Sequence, residues 1–289
     1  MLAIVQGVGY TPANRSHFRS IEIWDTATDP NVLGDEGWLS RLDVRRQFGR
    51  PFAADAIVIG RNPKPASGPR MQPVVMADSA SFVSESAGVQ ALQSQSGNAA
   101  LRRILSVQRD IESASQGLTA NRPQPAGKFP PGALGRDARE AARLLIGDPA
   151  TTIVKIALTG FDTHVNQPQR QRALLRQLGD TLAALKQAFT AAGIWDQVLI
   201  LTYSEFGRRA QQNASNGTDH GKAAPHFVLG GRVKGGLLGE RPNLAALDEG
   251  DVPATTDFRS LYNGVLAGWW SVGSSSLFEP QMHKPLAIV

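Results

Sequence analysis

Residues 153 to 203 read as strand, long helix, strand, and this run constrains the fold more than any other part of the chain. Residues 153–158 are an apolar, β-branched run closed by Gly160. In the stretch 169–192, Leu174, Leu178, Leu182, Leu185 and Phe189 form one helical stripe, with Pro168 near its start and Gly193 at its end. Residues 198–203 are a second apolar run. A helix crossing between two such strands makes a βαβ unit. Strands that are apolar almost throughout are those covered on both faces. The expected class is therefore α/β with a mainly parallel sheet.

The rest of the chain is less regular. Residues 2–8 form a candidate strand that starts at once. Residues 16–24 read as a helix with Ser16 in an N-cap-like position. Short apolar runs at 56–60 and 73–76 are strands, separated by a Pro/Gly-rich loop. Residues 99–113 carry Leu101, Ile104, Leu105 and Ile111 at helical spacing, and 137–146 is a further helix. Between them, 116–135 reads as loop. Residues 227–229 are a short strand, and Thr256 and Asp257 cap a last helix running to Trp269. The expected organisation is a single domain over 1–289, with 50–150 as an irregular insertion or cap.

Composition closes off several classes. With 42% hydrophobic and 19% charged residues the chain is not disordered, collagen-like or a coiled coil. It has no cysteine, which excludes a disulfide scaffold, a zinc ribbon, an iron–sulfur site and a thiol nucleophile. No run of 18 apolar residues exists, so no transmembrane segment is expected. The net charge of +5 comes from scattered arginines without a basic tail or an RNA-binding signature, so no nucleic-acid partner is expected.

In open parallel sheets, ligands bind beyond the carboxyl ends of the strands. Three strand exits or loops carry suitable groups. In the first, Asp162 and His164 stand two residues apart after 153–158 and share a face in extended chain. Both are ligands for zinc, manganese or similar ions, the alternative being an Asx turn with a surface histidine. In the second, Glu205 leaves the strand 198–203 as a metal ligand or general base, or as half of an exposed turn ion pair. Arg208 beside it suits an anionic substrate. In the third, Asp219 and His220 lie between Gly217 and Gly221, where one would bind a metal and the other support it. At the amino end, Ser16 begins a helix, either as a nucleophile toward phosphate or sulfate or as a plain N-cap. His226 and His283 are less informative: the first precedes an apolar strand, the second lies in a Pro-flanked tail.

These segments resemble those of the domain-of-unknown-function family 1501, in the alkaline phosphatase and sulfatase superfamily. The resemblance rests on LAIVQGVGY at 2–10, RSHF at 15–18, GWL at 37–39, FDTH at 161–164, SEFGRR at 204–209, TDHG at 218–221 and TDFR at 256–259. It implies an alkaline-phosphatase-like three-layer α/β/α sandwich with one or two divalent metal ions, zinc, manganese, calcium or magnesium. Asp162, His164 and His220, with Asp219 adjacent, would hold one metal, and Glu205 a second. Ser16 would be the nucleophile with His17 beside it, and Arg15 or Arg208 would hold the ester's free oxygens.

Two departures follow from the same resemblance. Phe206 stands where superfamily phosphatases carry a histidine, which removes a ligand. Relatives also begin with a further strand bearing an Asp ligand, so the expectation is a fragment or a truncated or degenerate relative. The secretion signals of periplasmic or secreted relatives would be lost with that segment. The function expected is metal-dependent hydrolysis of a small anionic ester, phosphate or sulfate. The alternative is a catalytically degenerate binding or envelope-associated module.

Overall fold

A computed structural model describes residues 1–14, 16–42, 54–89, 92, 97–119, 124–147, 151–272 and 283–289. Arg15, expected near the ester, lies outside the described residues. The chain divides into two compact units. One gathers Met1–Asp35, Gly160–Arg176 and Gly193–Val289, the other Glu36–Thr159 and Gln177–Ala192. Among the described residues no helix is long and apolar enough to cross a membrane.

The first unit is built on a mixed five-stranded sheet. Strand β1 (Leu2–Gly9) is its centre, and buries Ala3, Val5 and Val8. On one side it pairs antiparallel with β8 (Ala223–Gly230), which in turn pairs antiparallel with β5 (Leu199–Leu201). On the other side it pairs parallel with β9 (Gly236–Leu238) and β10 (Thr256–Asp257). The β1–β8 register steps between Val5 and Val8, where one extra residue is accommodated at Gly7 with φ +61°. A Cβ there would sit 2.2 Å from Thr255 Oγ1, so glycine is required twice over.

Helix α1 (His17–Thr26) follows β1 and buries Ser20, Ile23 and Trp24. The Trp24 ring stacks on Phe258 with centroids 4.3 Å apart. Phe258 opens α6 (Phe258–Gly264), whose N-cap Asp257 accepts from the Arg259 amide at 2.8 Å. The chain then continues as a wider helical turn over Val265–Trp269. His226 falls inside β8, 2% exposed, not ahead of a short strand as expected. The strand is longer than its apolar core because both edges are hydrogen-bonded.

The second unit holds a parallel sheet in the order β3 (Pro73–Met76), β2 (Ala56–Ile59), β4 (Val154–Lys155). All four residues of β2 are buried, as both-face coverage requires. Ile57, Ile59, Val74 and Met76 pack with Ala114 of α3 (Ala99–Thr119) and with Ala141 and Leu144 of α4 (Ala133–Gly147). Helix α2 (Ser79–Ser86) was not expected from the sequence; its signal is Asp78, whose carboxylate accepts from the Ser81 amide at 2.9 Å.

The chain is thus α/β, with strand pairings that differ from the sequence expectation. Strand β4 and strand β5, which flank the long helix α5 (Gln167–Ala191), belong to different sheets, so they do not close a βαβ unit together. Hydrophobic pattern specifies that a segment is a strand; it does not specify the partner. The mainly parallel arrangement holds for the three-stranded sheet. In the five-stranded one, antiparallel β8 supplies the longest ladder.

Candidate metal centre

Four segments of the first unit supply the site. The turn after β1 delivers Ser16 and His17 to the start of α1. The exit of β5 delivers Glu205, whose backbone carbonyl accepts from Ser20 Oγ at 2.6 Å and is thereby tied to α1. A two-residue antiparallel ladder, β6 (Gly207–Arg208) with β7 (His220–Gly221), sets Arg208 opposite His220. The fourth segment is the extended stretch carrying Asp162 and His164.

The side chains converge. His164 Nε2 and His220 Nε2 each lie 2.8 Å from Asp162 Oδ1, and 3.1 Å from each other. His17 Nε2 is 3.7 Å from Asp162 Oδ2. His17, Asp162 and His220 each offer a ligand atom within 4.8 Å of the others. Two imidazole nitrogens sharing one carboxylate oxygen need a proton or a cation between them, because facing lone pairs repel. Two or three imidazole nitrogens with one carboxylate form a zinc- or manganese-type donor set, here with the nitrogens 2.8 to 3.7 Å from the nearest carboxylate oxygen. His17, Asp162 and His220 could together hold a metal ion.

Each outer histidine is oriented by a carboxylate. His17 Nδ1 is 3.1 Å from Glu205 Oε1, which turns Nε2 toward Asp162. His164 Nδ1 is 3.3 Å from Asp219 Oδ1. Asn213 Nδ2 donates to that same oxygen at 3.2 Å and to the His164 carbonyl at 3.0 Å. The hydrogen bond from His220, helped by the nearby histidines, holds the Asp162 carboxyl below its ordinary range. The Asn213 amide and then His164 do the same for Asp219.

Arg208 stitches two of these segments together. Its Nη1 donates to the Thr218 carbonyl at 2.6 Å and its Nη2 to the Phe161 carbonyl. The guanidinium also lies 3.7 Å from Asp162 Oδ1 and covers the Phe206 ring at 4.9 Å. Burial lowers its pKa, opposed by Asp162. Gly217 permits the same approach from the backbone side: a Cβ there would lie 2.1 Å from the His164 carbonyl oxygen.

The residues singled out in the sequence therefore fall as follows. Asp162, His164 and His220 meet directly, Arg208 lies beside Asp162, and Glu205 and Asp219 reach the group through His17 and His164. His17, expected as a neighbour of the nucleophile, is a ligand-competent member of the group. Glu205, expected on a second metal, hydrogen-bonds His17. Ser16 is exposed at the N-cap of α1, with its hydroxyl making no capping bond. Asn213 and Ser20 are not among the residues that the sequence singles out.

Fold and centre together describe an α/β chain with a histidine–carboxylate cluster competent to hold a metal. The family model described as "Protein of unknown function (DUF1501)" matches residues 77–275, more than half of the chain, and the chain belongs to this family. That span contains every residue of the cluster except His17. No curated protein and no solved structure matches the chain.

Proposed function

We propose that the protein is a metal-dependent hydrolase of phosphate or sulfate esters, with the alkaline-phosphatase-like three-layer architecture of the superfamily its segments resemble. The observation that carries the reading is the His17–Asp162–His220 group, its ligand atoms within 4.8 Å, with His164 against two of its members. These residues would hold a divalent metal, which supplies Lewis-acid charge for the oxygens of the ester.

The chain's own residues do the rest. Ser16 presents a hydroxyl beside the amides that open α1, where donors and the helix dipole favour an approaching anion. Its attack would form the Ser16 Oγ–phosphorus or Oγ–sulfur bond and break the ester P–O or S–O bond, the hydroxyl proton passing to the departing alkoxide, which leaves as the alcohol; water would then displace Ser16 and release phosphate or sulfate. Glu205 keeps His17 turned inward. Arg208, its terminal nitrogens committed to main-chain carbonyls, holds the Asp162 and His220 segments in register.

The test is an assay on 4-nitrophenyl phosphate and 4-nitrophenyl sulfate with zinc, manganese, calcium or magnesium added. Turnover that is lost in Ser16→Ala while metal uptake persists is the result expected. Metal uptake without turnover on either ester would favour the binding-module alternative, to which the loss of a histidine at Phe206 also points.

A further inference from the structure

Against the metal centre lies a shallow depression of about 470 Å³, wide open to solvent. It borders the cluster through two residues. Arg208 lines it and is 3.7 Å from Asp162 Oδ1; Thr218 lines it two positions before His220. The remaining wall comes from the first turns of α5: Gln167, Pro168, Gln171, Arg172 and Leu175.

The hydrogen-bonding capacity of this wall is lopsided. Gln167 Oε1 accepts from Thr218 Oγ1 at 3.0 Å. Gln171 Oε1 accepts from both Gln167 Nε2 and Thr163 Oγ1, each at 3.3 Å. The amide oxygens are thus engaged, while the Gln171 amide N–H groups and the Arg172 guanidinium have no partner among the described residues. Two arginines and no carboxylate line the cavity. Beside the spare lone pairs of the Thr218 hydroxyl and the Gln167 amide oxygen, its unengaged groups are donors, and the only charged one is a cation, so the wall matches an acceptor with a negative charge. Pro168 and Leu175, the latter 46% exposed, offer apolar surface beside them.

We infer that this cavity binds the non-reacting half of the substrate, and that this half is an apolar body ending in a carboxylate held by Arg172. The inference rests on the hydrolase reading for the role of the occupant; the recognition chemistry comes from the cavity wall alone. Arg172 is then a specificity residue, remote from the ester bond.

Calorimetric titration of the full chain with phenylacetate, and with its neutral isostere phenylacetamide, tests it without any turnover. The acid is expected to bind about tenfold tighter than the amide, and Arg172→Gln to bring it down to the amide's level. Arg172 is exposed on a helix, so the variant is expected to fold, and a thermal melt checks it. Equal affinity for acid and amide, no binding of either, or an unaltered preference in Arg172→Gln would overturn the inference. A chain that takes up no metal yet still prefers the acid would sink the hydrolase reading and leave the carboxylate site standing.

Discussion

The rings of Phe206 and His220 lie face to face, 4.2 Å between centroids and 18° between planes. Phe206 also meets His17 edge-on at 5.0 Å. The phenyl ring, in the position where the resemblance expects a ligand, is instead the wall that fixes two imidazoles. Phe206→Ala is expected to weaken metal binding by about tenfold, because His220 regains rotamer freedom. Calorimetric titration with zinc measures this directly, and a melt that shifts little separates it from unfolding.

Arg208 acts through geometry more than through charge. Its fork reaches the Thr218 and Phe161 carbonyls at once, and a lysine ammonium is a point charge without that span. Arg208→Lys is therefore expected to lose metal affinity nearly as far as Arg208→Gln, on the order of 10–100-fold for both. Full rescue by lysine would show that charge beside Asp162 is what matters.

Gly217→Ala places a methyl group against the His164 carbonyl, 2.1 Å away in the present geometry. The two loops must part to admit it. A loss of about 1–3 kcal/mol in chemical denaturation is expected, along with weaker metal binding. An unchanged midpoint would mean that the loops yield freely.

His226 gives the fold a pH dependence of its own. Burial pushes its imidazole down to about 4. Between about pH 6.5 and 4 the unfolded chain binds a proton that the folded chain refuses, so stability falls on acidification through that window. The full effect is on the order of 3 kcal/mol. His226→Phe, beside the Trp24 ring, is expected to flatten the profile in urea melts between pH 4.5 and 7. Parallel profiles for the two proteins would rule His226 out as the source.

Much of the centre was legible as chemistry and little of it as geometry. Asp162 and His164 two residues apart, and Asp219 and His220 between glycines, announced ligand-rich segments. What sets them in register is a ladder of two residue pairs, Gly207–Gly221 and Arg208–His220, too short for any hydrophobic period to reveal. Arg208 could be read as a charge in the sequence, but its partners are main-chain carbonyls, which every residue has. Pairing was hidden for the same reason: Val154 and Leu199 look like neighbours in a βαβ unit, yet their strands join different sheets. A whole helix escapes the apolar spacing where a cap starts it, as Asp78 does for α2.

A hydrolase of the proposed kind needs one cation shared by His17, Asp162 and His220. Titrating the purified full chain with zinc or manganese, beside His17→Ala, Asp162→Asn and His220→Ala, measures it most directly. About one equivalent bound by the parent chain is expected, weakened roughly 100-fold or more by each substitution, since each deletes a ligand. No uptake by the parent chain, or uptake indifferent to all three substitutions, would contradict it.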